Sequence, residues 1–206
     1  MRRSFLVFTM AFVALMAGAL FYAARMPLKA LPEPVDTFDP NAVTAIKTQD
    51  LIYPSFRLSD MNGVERDFSE WRDQNRIVNF WATWCAPCRR EIPLLKAFQE
   101  KHAEHGIQVI GVAIDNLDAV IAYNESAQFN YPILVGELDA MAAAESSGVN
   151  FIGLPFTMIV AADGELLATH IGEIHQEHLD KIASVLKHLE FGRIDRESAR
   201  KTLHAL

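Results

Sequence analysis

Cysteine is nearly missing from this sequence, with two in 206 residues. That excludes a disulfide framework and a four-cysteine zinc site, so whatever the thiols do, they do as one pair. Proline and glycine are sparse, at nine and ten, which excludes collagen-like and low-complexity chains. The body has no basic stripe: every acidic residue follows residue 26, whereas Arg2, Arg3 and Arg25 bracket the apolar start, so the remainder is more acidic than the whole-chain net of −7. Such a surface does not suit nucleic acid. Half of the residues are hydrophobic, which excludes wholesale disorder and supplies a core for one globular domain.

The other gap is one of charge. From Ser4 to Ala24 no charged residue occurs, and apolar side chains surround the stretch on every face. As a helix it would be about 31 Å long, enough to span a bilayer. Residues 1–26 are therefore expected to be an uncleaved membrane anchor. The competing reading is a signal peptide cut near Ala17-Gly18-Ala19, and Arg2-Arg3 also resembles a twin-arginine export signal. Each of these routes places the body outside the cytoplasm, on the periplasmic or extracytoplasmic side of the inner (cytoplasmic) membrane. Residues 27–50, with Pro27, Pro32, Pro34 and Pro40 among acidic residues, read as a stiff linker.

Within 51–190, Asn62-Gly63 marks a hairpin between Phe56-Leu58 and Val64-Phe68. Ile77–Trp81 and Val109–Ile114 read as buried strands, and a helix from Pro87 to about Glu104 carries Ile92, Leu95, Phe98 and His102 on one face. Leu117, Val120, Ile121 and Asn124 have helical spacing; Tyr131–Val135 is strand-like, and Leu138–Ser147 is an Ala-rich helix ending at Gly148. Phe156–Val160 and Glu165–Ile171 form a second hairpin across Asp163-Gly164, before a helix bearing Leu179, Ile182, Leu186 and Leu189. The order predicts a three-layer α/β fold with a mixed central sheet and an N-terminal β-hairpin extension. Residues 191–206 read as a polar, solvated tail.

Both cysteines lie in Trp84-Cys85-Ala86-Pro87-Cys88, where a buried strand gives way to a helix. Free amide N–H groups and the positive end of the helix stabilise a thiolate there, which makes Cys85 the attacking sulfur. Cys88, one turn further on, is close enough to form a small disulfide, and Pro87 fits the first turn, where its missing N–H costs nothing. Inert thiols and half of a metal site, with His102 and His105 or His175 and His178, are the alternatives; the strand–helix setting favours redox chemistry over both.

Val78-Asn79-Phe80-Trp81-Ala82-Thr83-Trp84-Cys85-Ala86-Pro87-Cys88-Arg89-Arg90-Glu91-Ile92-Pro93 resembles the signature of thioredoxin-fold thiol–disulfide oxidoreductases of the TlpA, ResA and DsbE (CcmG) type, which are extracytoplasmic and often membrane-anchored. The resemblance runs from about Tyr53 to Leu189. It implies a thioredoxin-like fold, protein-disulfide reductase activity through Cys85 and Cys88 without a bound cofactor or metal, and a redox-active disulfide between them. It also implies a cis Leu154-Pro155 bond beside the pair, with Trp84, Ala86, Pro87, Leu154 and Pro155 facing the substrate. Glu91 matches an active-site glutamate of ResA-like members that tunes the thiols and handles protons; taken alone it reads as a helix-surface acid. Asn79 stands where thioredoxin has a buried aspartate. The implied partners are client proteins with disulfides and a transmembrane electron donor of the DsbD or CcdA kind, and a monomer is expected. Phe156, where DsbE proteins usually have Glu, and Ala161, where the family often has Asp, argue against cytochrome c maturation. A DsbA-like oxidase and a Sco-like copper chaperone using His170 or His175 are the other readings. A peroxiredoxin is disfavoured by Val78 and Ala82, where its motif needs Pro and Thr.

Overall fold

The computed structural model describes residues 51–206, so the expected anchor (Ser4 to Ala24 within 1–26) and the linker 27–50 lie outside the described residues. Among the described residues no helix is long and apolar enough to cross a membrane.

Seven strands form one mixed sheet: β1 (Arg57–Asp60), β2 (Glu65–Asp67), β3 (Asn75–Trp81), β4 (Ile107–Ile114), β5 (Ile133–Gly136), β6 (Phe156–Val160) and β7 (Leu166–Ile171). Their spatial order is β2-β1-β5-β4-β3-β6-β7. Five α-helices accompany them: α1 (Ala86–His102), α2 (Leu117–Ala127), α3 (Leu138–Glu145), α4 (Gln176–Glu190) and α5 (Arg196–Leu203). The expected hairpin forms, with Gly63 at φ +75° in the turn, a conformation L side chains rarely adopt. It is no free extension: Ser59 pairs with Val135, so β1 continues the main sheet.

All seven residues of β3 are buried, which follows from its central place, parallel to β4 and antiparallel to β6. Successive side chains of a strand point to opposite faces. Ile77 and Trp81 enter a core with Ile92, Leu95 and Phe98 of α1 and Leu179, Ile182 and Leu186 of α4. Val78 and Phe80 enter a second core with Ala140, Ala143 and Ala144 of α3, closed by Leu58, Phe68 and Trp71. The Ala-rich helix is thus explained by close approach to the sheet. The three layers match the predicted architecture, and the β3–α1–β4–α2–β5 path is the parallel crossover arrangement expected of such folds.

The helix expected from Leu117, Val120, Ile121 and Asn124 forms as α2; Val120 is buried, and Leu117 and Ile121 are 38% and 42% exposed. One expectation is corrected. The C-terminal tail is no solvated strand of chain: residues Arg196–Leu203 form α5, with Asp195 accepting from the Ser198 amide as its cap. Ala199 and Leu203 are fully buried, and Arg200 pairs with the buried Glu165 at the head of β7. Its polar composition hid two small apolar contacts one turn apart, anchored by an ion pair distant in sequence.

Candidate active site

The strand–helix junction after β3 is held from both sides. The Asp115 carboxylate, at the end of β4, accepts from the Thr83 amide (2.9 Å) and from its hydroxyl (2.6 Å), and the Cys85 amide donates to the Ala82 carbonyl at 3.1 Å. These bonds fix the turn that delivers Cys85 to the N-cap of α1. Cys85 and Cys88 are joined as a disulfide, with Cα atoms 5.3 Å apart. The Cys88 amide donates to Cys85 Sγ at 3.3 Å, the contact through which a helix N-terminus stabilises a thiolate once the pair is reduced. The first turn of α1 carries no acidic residue to oppose that charge.

Access is asymmetric. Cys85 keeps a sliver of surface at 6%, whereas Cys88 has none, so an incoming disulfide meets Cys85 first. Trp84 is 69% exposed beside it and Ala86 is exposed as well. The Leu154–Pro155 bond is cis, as the resemblance implied. Phe80 pairs with Phe156, so Pro155 lies one residue beyond that pair at the end of β3 that leads into the cysteine loop. Pro155 is buried and its carbonyl accepts from the Gly172 amide; Leu154 is half-buried.

Glu91 is fully buried on α1, one turn after Cys88, which removes the surface-acid reading. Its Oε1 accepts from Asn79 Nδ2 at 2.7 Å and its Oε2 from the Ile174 amide at 2.7 Å. Burial pushes its carboxyl up to about 7; the two donors pull it down and the neighbouring Glu173 pushes it up. Glu173 is itself paired with Arg90 and held below its ordinary value chiefly by that partner. Tyr131, buried nearby, has its phenol raised first by burial and then by Glu91.

Of the residues singled out in the sequence, the structure brings the cysteine loop with Trp84, Ala86 and Pro87 and the Leu154-Pro155 loop to one end of the sheet, and it buries Glu91 on α1. Glu91 was more legible than it looked, because Cys88, Glu91, Ile92 and Leu95 follow the helical apolar spacing that predicts an inward face. Asp115 was missed, although an acid directly after a buried strand of an α/β sheet sits where ligand-facing residues cluster. Thr157 and the Ile174 amide gave no signal. The histidines differ from a plain solvated face: the His102 ring lies 4.4 Å from that of Phe98 in a tilted pair, and the His170 ring lies 5.0 Å from that of His178. Among the described residues no group of three His, Cys, Asp or Glu side chains is placed to hold a metal ion.

The redoxin family model matches residues 47–186. Curated relatives include the thiol-disulfide oxidoreductase ResA of Geobacillus kaustophilus, 27% identical over 135 residues and covering 65% of this chain and 75% of that protein. The thioredoxin-like protein YneN of Bacillus subtilis is 25% identical over 132 residues, covering 62% of this chain and 74% of its own. Among solved structures, a thioredoxin-family thiol:disulfide interchange protein from Chlorobium tepidum superposes with a TM-score of 0.60 at 26% identity, covering 66% of this chain and 95% of that one.

Proposed function

The chain belongs to the redoxin family and is a thiol–disulfide oxidoreductase, and from that premise we propose that it reduces disulfides of client proteins on the extracytoplasmic side of a membrane. The observation that carries this reading is the Cys85–Cys88 disulfide at the N-terminus of α1, with the fully buried Glu91 one turn further along the same helix. In the reduced enzyme the Cys85 thiolate attacks one sulfur of the client disulfide; a mixed disulfide forms and the other client sulfur leaves as a thiolate. Glu91 then takes the proton of the Cys88 thiol. The Cys88 sulfur attacks Cys85 Sγ, the bond to the client breaks, and the client departs fully reduced while the enzyme holds the disulfide. Two electrons have passed to the client, and a membrane electron donor of the DsbD or CcdA type restores the dithiol.

Trp84, Ala86, Pro87, Leu154 and Pro155 form the docking surface in this scheme. The exposed indole supplies apolar contact beside the reacting sulfur, and the backbone around Pro155 receives the extended client segment. The uncharged run from Ser4 to Ala24 supports anchoring of a monomeric enzyme in the inner membrane.

Expression of Cys88→Ser in the native host tests the reading. Cys85 is then expected to accumulate in mixed disulfides with clients, which can be isolated and identified. A trapped apocytochrome c would move the chain to the DsbE subgroup. No trapped partner, together with no insulin-reducing activity in the wild type, would refute the reductase function. Protease protection in spheroplasts tests the location, and a domain resistant until the membrane is breached from the cytoplasmic side would refute it.

A further inference from the structure

Asn79 and Thr157 lie opposite each other in the β3–β6 register, on the face of the sheet that meets α1. Asn79 is fully buried and its Nδ2 makes two contacts, donating to Glu91 Oε1 at 2.7 Å and to Thr157 Oγ1 at 3.1 Å. Its Oδ1 is buried without any partner. An amide that spends both hydrogens and leaves its acceptor empty suits a carboxylate, which has no hydrogen to give. With the proton on Oε1 the same amide would set a donor against a donor, and with it on Oε2 the Ile174 amide would; a buried unsatisfied group there costs stability.

We propose that Asn79 is a positioning residue that follows the charge of Glu91: its side-chain amide turns by a half rotation when Glu91 gains a proton, donating to the carboxylate and accepting from the acid. The oxygen and the NH₂ of an amide have nearly the same shape, so the turn leaves the packing of β3 unchanged; it carries the NH₂ to the buried side where Oδ1 has no partner, a cost the bonds gained at Glu91 and Thr157 must exceed. After the turn Oδ1 faces Glu91 and Thr157, and both of those groups then carry a hydrogen to give it: the carboxylic O–H and the rotatable hydroxyl. The Ile174 amide continues to donate to Glu91 Oε2 in either state. A carboxyl that must take and return a proton in each cycle thereby keeps a partner throughout. The aspartate that thioredoxin places here would supply charge at this position but no such donor.

The charged and titratable groups facing this cluster are Tyr131 before β5 and Glu173 before α4, the latter paired with Arg90 and close to His175; Cys88 is held in the disulfide.

The inference rests on Glu91 exchanging protons in the proposed dithiol chemistry, but its test needs no turnover. In the oxidised full chain, ¹⁵N labelling of asparagine side chains follows the Asn79 amide while ¹³C labelling follows the Glu91 carboxyl across neutral pH. The two are expected to change with one midpoint. In Glu91→Gln, whose own amide mimics the acid, the Asn79 signal should be independent of pH and lie near the low-pH position of the wild type. Asn79→Ala should raise the Glu91 midpoint by less than about one pH unit, because a bond is lost in both protonation states and only the stronger, charged one favours the carboxylate; a larger rise would mark a fixed donor. The isosteric Asn79→Asp should raise it as well, since two touching carboxyls share one proton. An Asn79 signal that stays flat while Glu91 titrates, or a Glu91 midpoint unmoved in both Asn79 variants, overturns the proposal. Loss of disulfide reduction with the coupled titration intact would refute the functional reading and leave this one standing.

Discussion

The pH dependence of stability should carry the signature of one buried carboxyl. Glu91 has an ordinary value of 4.5 and is pushed up to about 7 in the folded protein, first by burial. Below about 4.5 it is protonated whether the chain is folded or not and contributes no pH dependence. Between 4.5 and 7 the folded state retains a proton that the unfolded state releases, so unfolding becomes easier with each step in pH. At about 1.4 kcal/mol per unit, the interval of 4.5 to 7 amounts to about 3 kcal/mol. Stability is therefore favoured on the acid side and lost as pH rises through about 7, opposite in sign to the exposed carboxylates Asp67 and Glu70, whose values are lowered by their partners. Because those other acids titrate too, the measurement is a difference. Urea unfolding of the oxidised wild type and of Glu91→Gln is followed at several pH values, with the same denaturant slope required in both. The variant should carry a constant offset from its altered hydrogen bonds, while the gap between the two proteins changes by about 3 kcal/mol across this window. A gap that does not vary with pH would refute the assignment of a raised, buried carboxyl.

Further outcomes follow from other contacts. Asp115→Ala leaves the Thr83 amide and hydroxyl without their acceptor; a loss of about 1–3 kcal/mol is expected in chemical denaturation, with slower alkylation of reduced Cys85 by iodoacetamide. Leu203→Ala should destabilise by about 2–5 kcal/mol because the side chain is fully buried in α5, whereas a solvated tail would change stability by less than about 0.5 kcal/mol. Trp84→Ala should stay within about 0.5 kcal/mol of wild type in stability, since the indole is largely exposed, yet raise KM for protein disulfides in an insulin assay.

Element identity was legible where apolar periodicity is long and unambiguous. The seven buried residues of β3 and the stripe Ile92, Leu95 and Phe98 of α1 are of this kind, and so is the turn at Gly63. It failed where a short element makes few contacts: α5 is held by Ala199, Leu203 and an Arg200–Glu165 pair separated by 35 residues. Periodicity reports which residues seek the interior; it does not report what they meet there.

The sequence by itself determined the chemistry of the pair, since two cysteines at a strand–helix junction, with proline between them, dictate both their proximity and the helix end that activates one of them. Glu91 was marked only by the family resemblance, since taken alone it reads as a surface acid of the helix. Only the tertiary structure decided what that acid is. Its burial, the Asn79 amide across the sheet face, the Ile174 amide 83 residues away and the Glu173–Arg90 pair together set its protonation near neutrality. A pKa depends on solvation and on charges within a few ångströms, and those neighbours are brought together by the fold rather than by the order of the chain.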